Sequence, residues 1–398
     1  MRWSRIRIRG PLASHLPGLW QTLDAQGYTA LSIGNLARLF AHLSRWLADH
    51  ALTAVDLDRV TIERFVGDRR AAGYTGYRCL GGLASILDYL RQVAGAPGLA
   101  GAPAVSSPND ERLDAYREYL ERERVLVRST VNFYLRVARE VLPADGDLSR
   151  LDAAKVTSDI LAASHHYGIN ATKYRVTALR TLLRYLFVRG ELAHDLVGAV
   201  PCVAGWRLSG LPRDLEPPVV AQLLRGCDRR THIGRRAYAA VLLMVRLGLR
   251  VGEVAALQLE DVDWRAGEIS IHTGKARRVD RLPLPADVGA AVAAYVRWSR
   301  PRIESRALFL RVRGPHGPVT TTGLQGIVHQ AYRRAGLLPL GTHRLRHTAA
   351  SQMLRQGSSL TEIAQVLRHR HVGTTAIYAK VDRVALQELA QPWPGCAS

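Results

Sequence analysis

With 398 residues, 47% of them hydrophobic, the chain is long enough for two to three domains with real cores. It has no apolar run of about 18 residues to cross a membrane, and no apolar stretch follows the arginines of MRWSRIRIRG to make a signal peptide. A formal charge of +21 excludes an acidic or neutral-surface protein and points to a polyanion partner, nucleic acid before an anionic membrane.

Lysine makes up four of the 55 Lys and Arg residues, a bias that trades one cation for another but does not create the net charge. The four cysteines, Cys79, Cys202, Cys227 and Cys396, are scattered and form no C-x-x-C pair. That argues against a disulfide framework and a zinc site, and it suits a reducing cytoplasmic setting.

In chain order, two stretches read as linkers: GAPGLAGAPAVSSPND at 95–110, and the four-proline VPCVAGWRLSGLPRDLEPP at 200–218. They divide the chain into about 1–95, 110–198 and 215–398. The first two pieces read as copies of one helical unit. LDRVT (57–61) and AAKVT (153–157) are 96 residues apart, and so are LASILDYL (83–90) and LRTLLRYL (179–186). Leu39, Leu43 and Trp46 mark one amphipathic helix of the first piece.

The third piece mixes element types. RRAYAAVLLMVRLG predicts a buried helix ending near Gly248, and VGEVAAL predicts another. EISIH (268–272) and DRLPLP (280–285) predict strands joined by TGKARRV, with ALFLRV (307–312) as a third strand. HRLRHTAASQMLRQG predicts a helix with Leu345, Ala349 and Met353 on one stripe, stopping at Gly357. SLTE (359–362) is a Ser-x-x-Glu capping box opening a helix with Leu360, Ile363, Ala364 and Leu367 inward.

Four stretches carry chemistry. In HRLRH, His343 and Arg346 are three apart and share a helix face, with His347 one residue further along it. Arginine suits an oxyanion because its planar fork donates two parallel hydrogen bonds, although a solvated basic face reads the same way in isolation. Arg250 follows Gly248 where a helix begins, a place that favours anions, and Glu253 is placed to hold it or to cap the helix. Lys275 sits in a turn between two strands, where neighbouring cations could make it a proton donor; a plain turn residue is the bland alternative. Tyr378 should lie early in a helix near Thr374 or Thr375. Its phenol, with a pKa near 10, is a poor nucleophile unless cations stabilise the phenolate.

In this order and spacing the stretches resemble the tyrosine recombinase (phage integrase) family, which includes the Cre and Xer recombinases. The matching positions are Arg250 with Glu253, Lys275, His343 to His347 as H-x-L-R-H, His369, and Tyr378 nine residues later. The likeness covers 215–385. Two positions depart from the pattern: Arg368 stands where the family usually has glycine before the histidine, and the hairpin reads GKARRVDRLPLP.

The resemblance implies a mainly α fold with a small antiparallel β-sheet in the catalytic domain. It makes 110–198 a helical, SAM-like core-binding domain, 1–95 an arm or core-binding-like domain, and 215–398 the catalytic domain. It implies cutting and rejoining of DNA through a 3′-phosphotyrosine, with Tyr378 as nucleophile and Arg250 and Arg346 as phosphate clamps. Lys275 would be the acid for the leaving oxygen, His343 an acid or base toward Tyr378, and His369 a phosphate contact, leaving His371 to the loop or DNA. No metal, ATP or other cofactor is called for. The implied partners are duplex DNA with specific sites and further copies in a tetramer, with VALQELAQPW near the C-terminus as a docking helix. Partner recombinases or accessory factors fit the same scheme. Other readings of the same residues are a type IB topoisomerase, a catalytically silent DNA-binding regulator and, for the histidines, a metal nuclease. The last lacks the carboxylates such a site needs.

Overall fold

The computed structural model describes residues 6–77, 79–98, 107–204, 214–273, 278–369 and 374–381. Among the described residues four α-helices form the first piece: α1 (Leu16–Ala25), α2 (Ala30–Asp49), α3 (Arg59–Ala71) and α4 (Leu80–Val93). Helix α2 starts where the Thr29 hydroxyl accepts the Ser32 N–H. It buries Ile33, Leu36, Phe40, Leu43 and Leu47, spaced at three and four residues.

The second piece repeats the order with α5 (Asp110–Glu118), α6 (Arg128–Val141), α7 (Ala153–His166) and α8 (Ile169–Val188). In both pieces a three-residue 3-10 turn, Ala54–Asp56 or Leu148–Arg150, separates the second helix from the third. The paired sequence motifs fall on equivalent elements: LDRVT and AAKVT at the start of α3 and α7, LASILDYL and LRTLLRYL within α4 and α8. The second piece has its own core of Tyr116, Leu135, Val156, Leu179, Leu183 and their neighbours.

By backbone contacts the chain divides into two compact units. One joins residues up to 98, apart from 58–60, to those from 210 onward; the other holds 58–60 and 99–209. Within the first unit, the turn after α1 meets a loop of the third piece. The His316 N–H donates to the Gln26 carbonyl at 2.9 Å. Gly27 takes φ +79°, which favours glycine, and a Cβ there would meet the His316 ring, which would have to shift. Nothing in the sequence patterns marked this contact.

The third piece is built around α10 (His232–Arg246), whose Ala237 and Ala239 to Val245 are all buried. Around it lie α9 (Pro217–Arg225), α11 (Val251–Ala256), α12 (Ala286–Trp298), α13 (Thr321–Arg334), α14 (His343–Arg355) and α15 (Leu360–Val366). Ser359 caps α15 through the expected box with Glu362. The sheet is small and antiparallel: β1 (Val262–Asp263), β2 (Glu268–Thr273) and β3 (Arg278–Pro283), in that order.

The third strand is therefore not ALFLRV. Residues 307–310 are buried but bend at Leu308 and Phe309, and they make only single bridges, Gln258 to Ala307 and Leu310 to Pro318. Their hydrogen bonds go to the Leu257 carbonyl on one side and from the Val319 N–H on the other, so no ladder can propagate. Among the described residues no helix is long and apolar enough to cross a membrane.

Candidate active site

The carboxyl end of α10 sets the site. Gly248 follows it at φ +61°, and a Cβ there would collide with the end of the Leu367 side chain, with Ala349 at ordinary contact distance. Only glycine combines that conformation with that approach. The turn sends Leu249 into the core and leaves Arg250 as the N-cap of α11. Gly248→Ala is expected to cost about 2–4 kcal/mol, from left-handed strain and overpacking together. A denaturant midpoint measures this, and a loss below about 1 kcal/mol would contradict the packing described.

Glu253, one turn along α11, fixes Arg250 as the spacing suggested. It caps the helix through the Arg250 N–H at 2.7 Å and pairs with Arg250 Nη1 at 2.7 Å. Arg346 lies in the first turn of α14 and is 1% exposed. Its Nη1 donates to the Gly248 carbonyl at 2.6 Å and its Nη2 to the Leu367 carbonyl, while Nε–H has no protein partner among the described residues. Burial first, and Arg250 second, lower its pKa to about 9, so it stays cationic at neutral pH.

The helix period places His343 and His347 one above the other, ring centroids 4.6 Å apart and edge-on. The ring that meets the tyrosine is His347, not His343: His347 Nδ1 and Tyr378 Oη are 2.8 Å apart. Sequence reasoning put His347 on the right face but gave it no role. The signal was available in the i, i+4 pairing of two histidines beside a buried arginine.

Tyr378 lies in a 3-10 turn, Ala376–Val381, its N–H bonded to the Thr375 carbonyl at 2.9 Å. The phenol is 2% exposed and packs with Ala350, Ile363 and Leu367. Burial pushes its pKa up to about 12, against the pull of Arg346 and Arg250. His369 is held by Thr375, Nδ1 to Oγ1 at 2.7 Å, which leaves Nε2 to meet a ligand.

Burial, then the surrounding histidine and arginines, lower His347 to about 4; burial, then Arg346 and Arg250, lower His369 to about 4 as well. His343 is lowered too, by partial burial and then by Arg346 and Arg250. All three rings are neutral at pH 7. Protonation is disfavoured in the fold, so stability is unaffected above about 6.5 and declines as pH falls from there toward 4.

Lys275 and His371 lie outside the described residues. The strands flanking Lys275 pair in full register, from Glu268 with Pro283 to Thr273 with Arg278. His272 anchors β2 to the buried Asp261 carboxylate at 2.8 Å. The C-terminal VALQELAQPW is also outside the described residues.

Two guanidinium groups, three neutral imidazoles and a phenol thus converge from α11, α14 and the segment after α15. Such a set has the chemistry to bind an anion with several oxygens and to offer it a nucleophile with a proton acceptor beside it. Residues 213–384 match the phage integrase family. A putative integrase/recombinase of Sinorhizobium fredii, y4rA, is 40% identical over 97% of this chain and 95% of its own length. The chain belongs to the phage integrase family of tyrosine recombinases.

The recombinase is also 31% identical to the tyrosine recombinase XerC of Azotobacter vinelandii, over 68% of this chain and 91% of that one. In fold it is similar to the XerH recombinase bound to a palindromic difH substrate, with TM-score 0.56 at 19% identity over 84% of this chain and 95% of that one. A lambda integrase dimer on a core site matches with TM-score 0.55 at 16% identity, over 79% of this chain and 88% of that one.

Proposed function

We propose that this recombinase cuts and rejoins DNA at specific sites through a covalent 3′-phosphotyrosine on Tyr378. The observation that carries this reading is the Tyr378–His347 hydrogen bond of 2.8 Å, set among the cations Arg250 and Arg346. Tyr378 Oη forms a bond to the scissile phosphorus and the bond to the 5′-oxygen breaks. The phenol's proton passes to neutral His347 Nδ1, and Lys275 protonates the departing oxygen. Arg250 and the spare N–H groups of Arg346 bind the non-bridging oxygens, where charge builds in the transition state. His369 Nε2 adds a hydrogen bond to the same phosphate, and His343 backs the His347 ring. The phosphotyrosine conserves the bond energy, so rejoining runs the same steps in reverse without ATP.

The helical pieces grip the duplex in this reading. On the second piece Tyr167, Ile169 and Tyr174 are exposed around the start of α8, and Arg175 lies over the Tyr167 ring. That face offers rings to the DNA, while the net charge of +21 over the whole chain supports binding dominated by phosphate contacts and weakened by salt. A lambda integrase tetramer bound to a Holliday junction is among the similar folds, with TM-score 0.53, and we extend that assembly on paired sites to this chain. The relatives named as putative integrases support a role in a mobile element.

The test is to incubate the protein with nicked duplexes carrying candidate sites, denature, and map the attachment by peptide mass. An adduct on the peptide containing Tyr378 supports the proposal; an adduct on any other residue overturns it. The pH profile tests the proton acceptor. Because His347 titrates near 4, cleavage should hold well below pH 6.5 and fall only as pH approaches 4. His347→Leu should slow cleavage by about 10²–10⁴-fold, the range of a general base. An acid limb centred near 6.5 would count against His347.

A further inference from the structure

Arg368, the residue that departs from the family pattern, is explained by what its side chain does. Its backbone sits at φ +53°, a left-handed conformation that glycine adopts freely and arginine does not. The side chain is only 4% exposed. It turns back so that Nη1 donates to the Val366 carbonyl at 2.8 Å and Nη2 to Glu253 Oε2 at 2.8 Å. Glu253, itself 9% exposed, is thus shared by two arginines: Arg368 from the buried side and Arg250 from the open side. The carbonyl just before Arg368, that of Leu367, is the one Arg346 binds.

We propose that Arg368 is a positioning residue for catalysis: it offsets the charge of Glu253 from within, so that Arg250, although paired with Glu253, is released more readily to the scissile phosphate. Without Arg368 the formal charge on Arg250 and Glu253 together is zero, and the exposed guanidinium becomes the only counterion of a buried carboxylate. Arg250, which Glu253 already holds at 2.7 Å, would then be held more tightly and offered less readily to the substrate. With Arg368 the three groups sum to one positive charge, placed at the open end. Arg368 touches no substrate in this scheme; it acts through Glu253. The proposal rests on the reading in which Arg250 contacts the scissile phosphate.

The experiment compares wild type, Arg368→Gly and Arg368→Lys in single-turnover cleavage of one nicked duplex. DNA dissociation constants and thermal midpoints are measured alongside. A second duplex carries a methylphosphonate at the scissile position, which removes the charge that Arg250 would meet. Arg368→Gly is expected to cleave the phosphodiester about tenfold more slowly, a modest share of what losing a transition-state contact outright costs. Its DNA affinity should stay within about twofold of wild type, because the phosphate contacts elsewhere are untouched. Arg368→Lys should recover most of the rate, and on the methylphosphonate the gap between glycine variant and wild type should nearly close. A glycine variant as fast as wild type overturns the proposal, and so does an equal defect on both substrates, which would mean a general structural role. Should the glycine variant melt early, the lysine variant decides alone: full loss of rate with a normal thermal midpoint and an unchanged methylphosphonate defect overturns it. No adduct with wild type on any candidate site would sink the recombinase reading itself, an outcome distinct from a wild-type adduct that Arg368 does not influence.

Discussion

Tyr378→Phe is expected to bind duplex DNA as wild type does and to form no adduct that survives denaturation, the rate falling by more than about 10⁴-fold. The substitution removes one oxygen. It leaves the ring in its contacts with Ala350, Ile363 and Leu367, so the segment should stay folded. The stability cost is about 1 kcal/mol for the lost bond to His347. Adduct yield on a denaturing gel, read beside a mobility-shift isotherm, separates chemistry from binding. An adduct that persists in the variant would place the nucleophile elsewhere.

Arg346→Lys should damage both stability and rate. A guanidinium spans two carbonyls, Gly248 and Leu367, from a position 1% exposed. An ammonium cannot donate to both in the same plane and would leave a buried acceptor unmet, at about 2–4 kcal/mol. Loss of the bidentate donor set should slow cleavage by about 10²–10³-fold. Arg250→Lys provides the contrast. Its side chain is 43% exposed, so the expected rate loss is similar but the stability loss is smaller. Urea midpoints and single-turnover rates, measured on both, check the difference. Equal stability losses, or an Arg346→Lys rate within about threefold of wild type, would argue against these roles for the two arginines.

Much of this site could be read from the chain because its parts obey local rules. The cap by Glu253, the box at Ser359 and the stripe of Leu345 and Ala349 follow from helix periodicity and hydrogen-bond reach within four residues. What could not be read was set by chain segments far apart. The choice of His347 over His343 for Tyr378 depends on how a turn 31 residues later packs under α14. The role of Arg368 depends on a carboxylate 115 residues away. The false third strand has the same origin: 307–312 has the composition of a strand, but the chain bends at Leu308 and Phe309 between its two single bridges, to Gln258 and to Pro318. The contact of Gln26 with His316, 290 residues apart, is likewise invisible to any local pattern.

The separateness of the cluster around Tyr378 among the described residues has a kinetic meaning. Its buried members are Ala350, Ile363, Leu367 and the tyrosine ring, separate from the large core built on α10. A segment whose packing is separate from the main core can open at a free energy below that of unfolding the domain. If Tyr378 is the nucleophile proposed above, the cleavage rate is the product of the chemical step and the fraction of time the phenol is free to reach phosphorus. The tyrosine is itself a member of the cluster that keeps it closed, so substitutions at Ile363 or Leu367 would change the tempo of cutting without touching a reacting group.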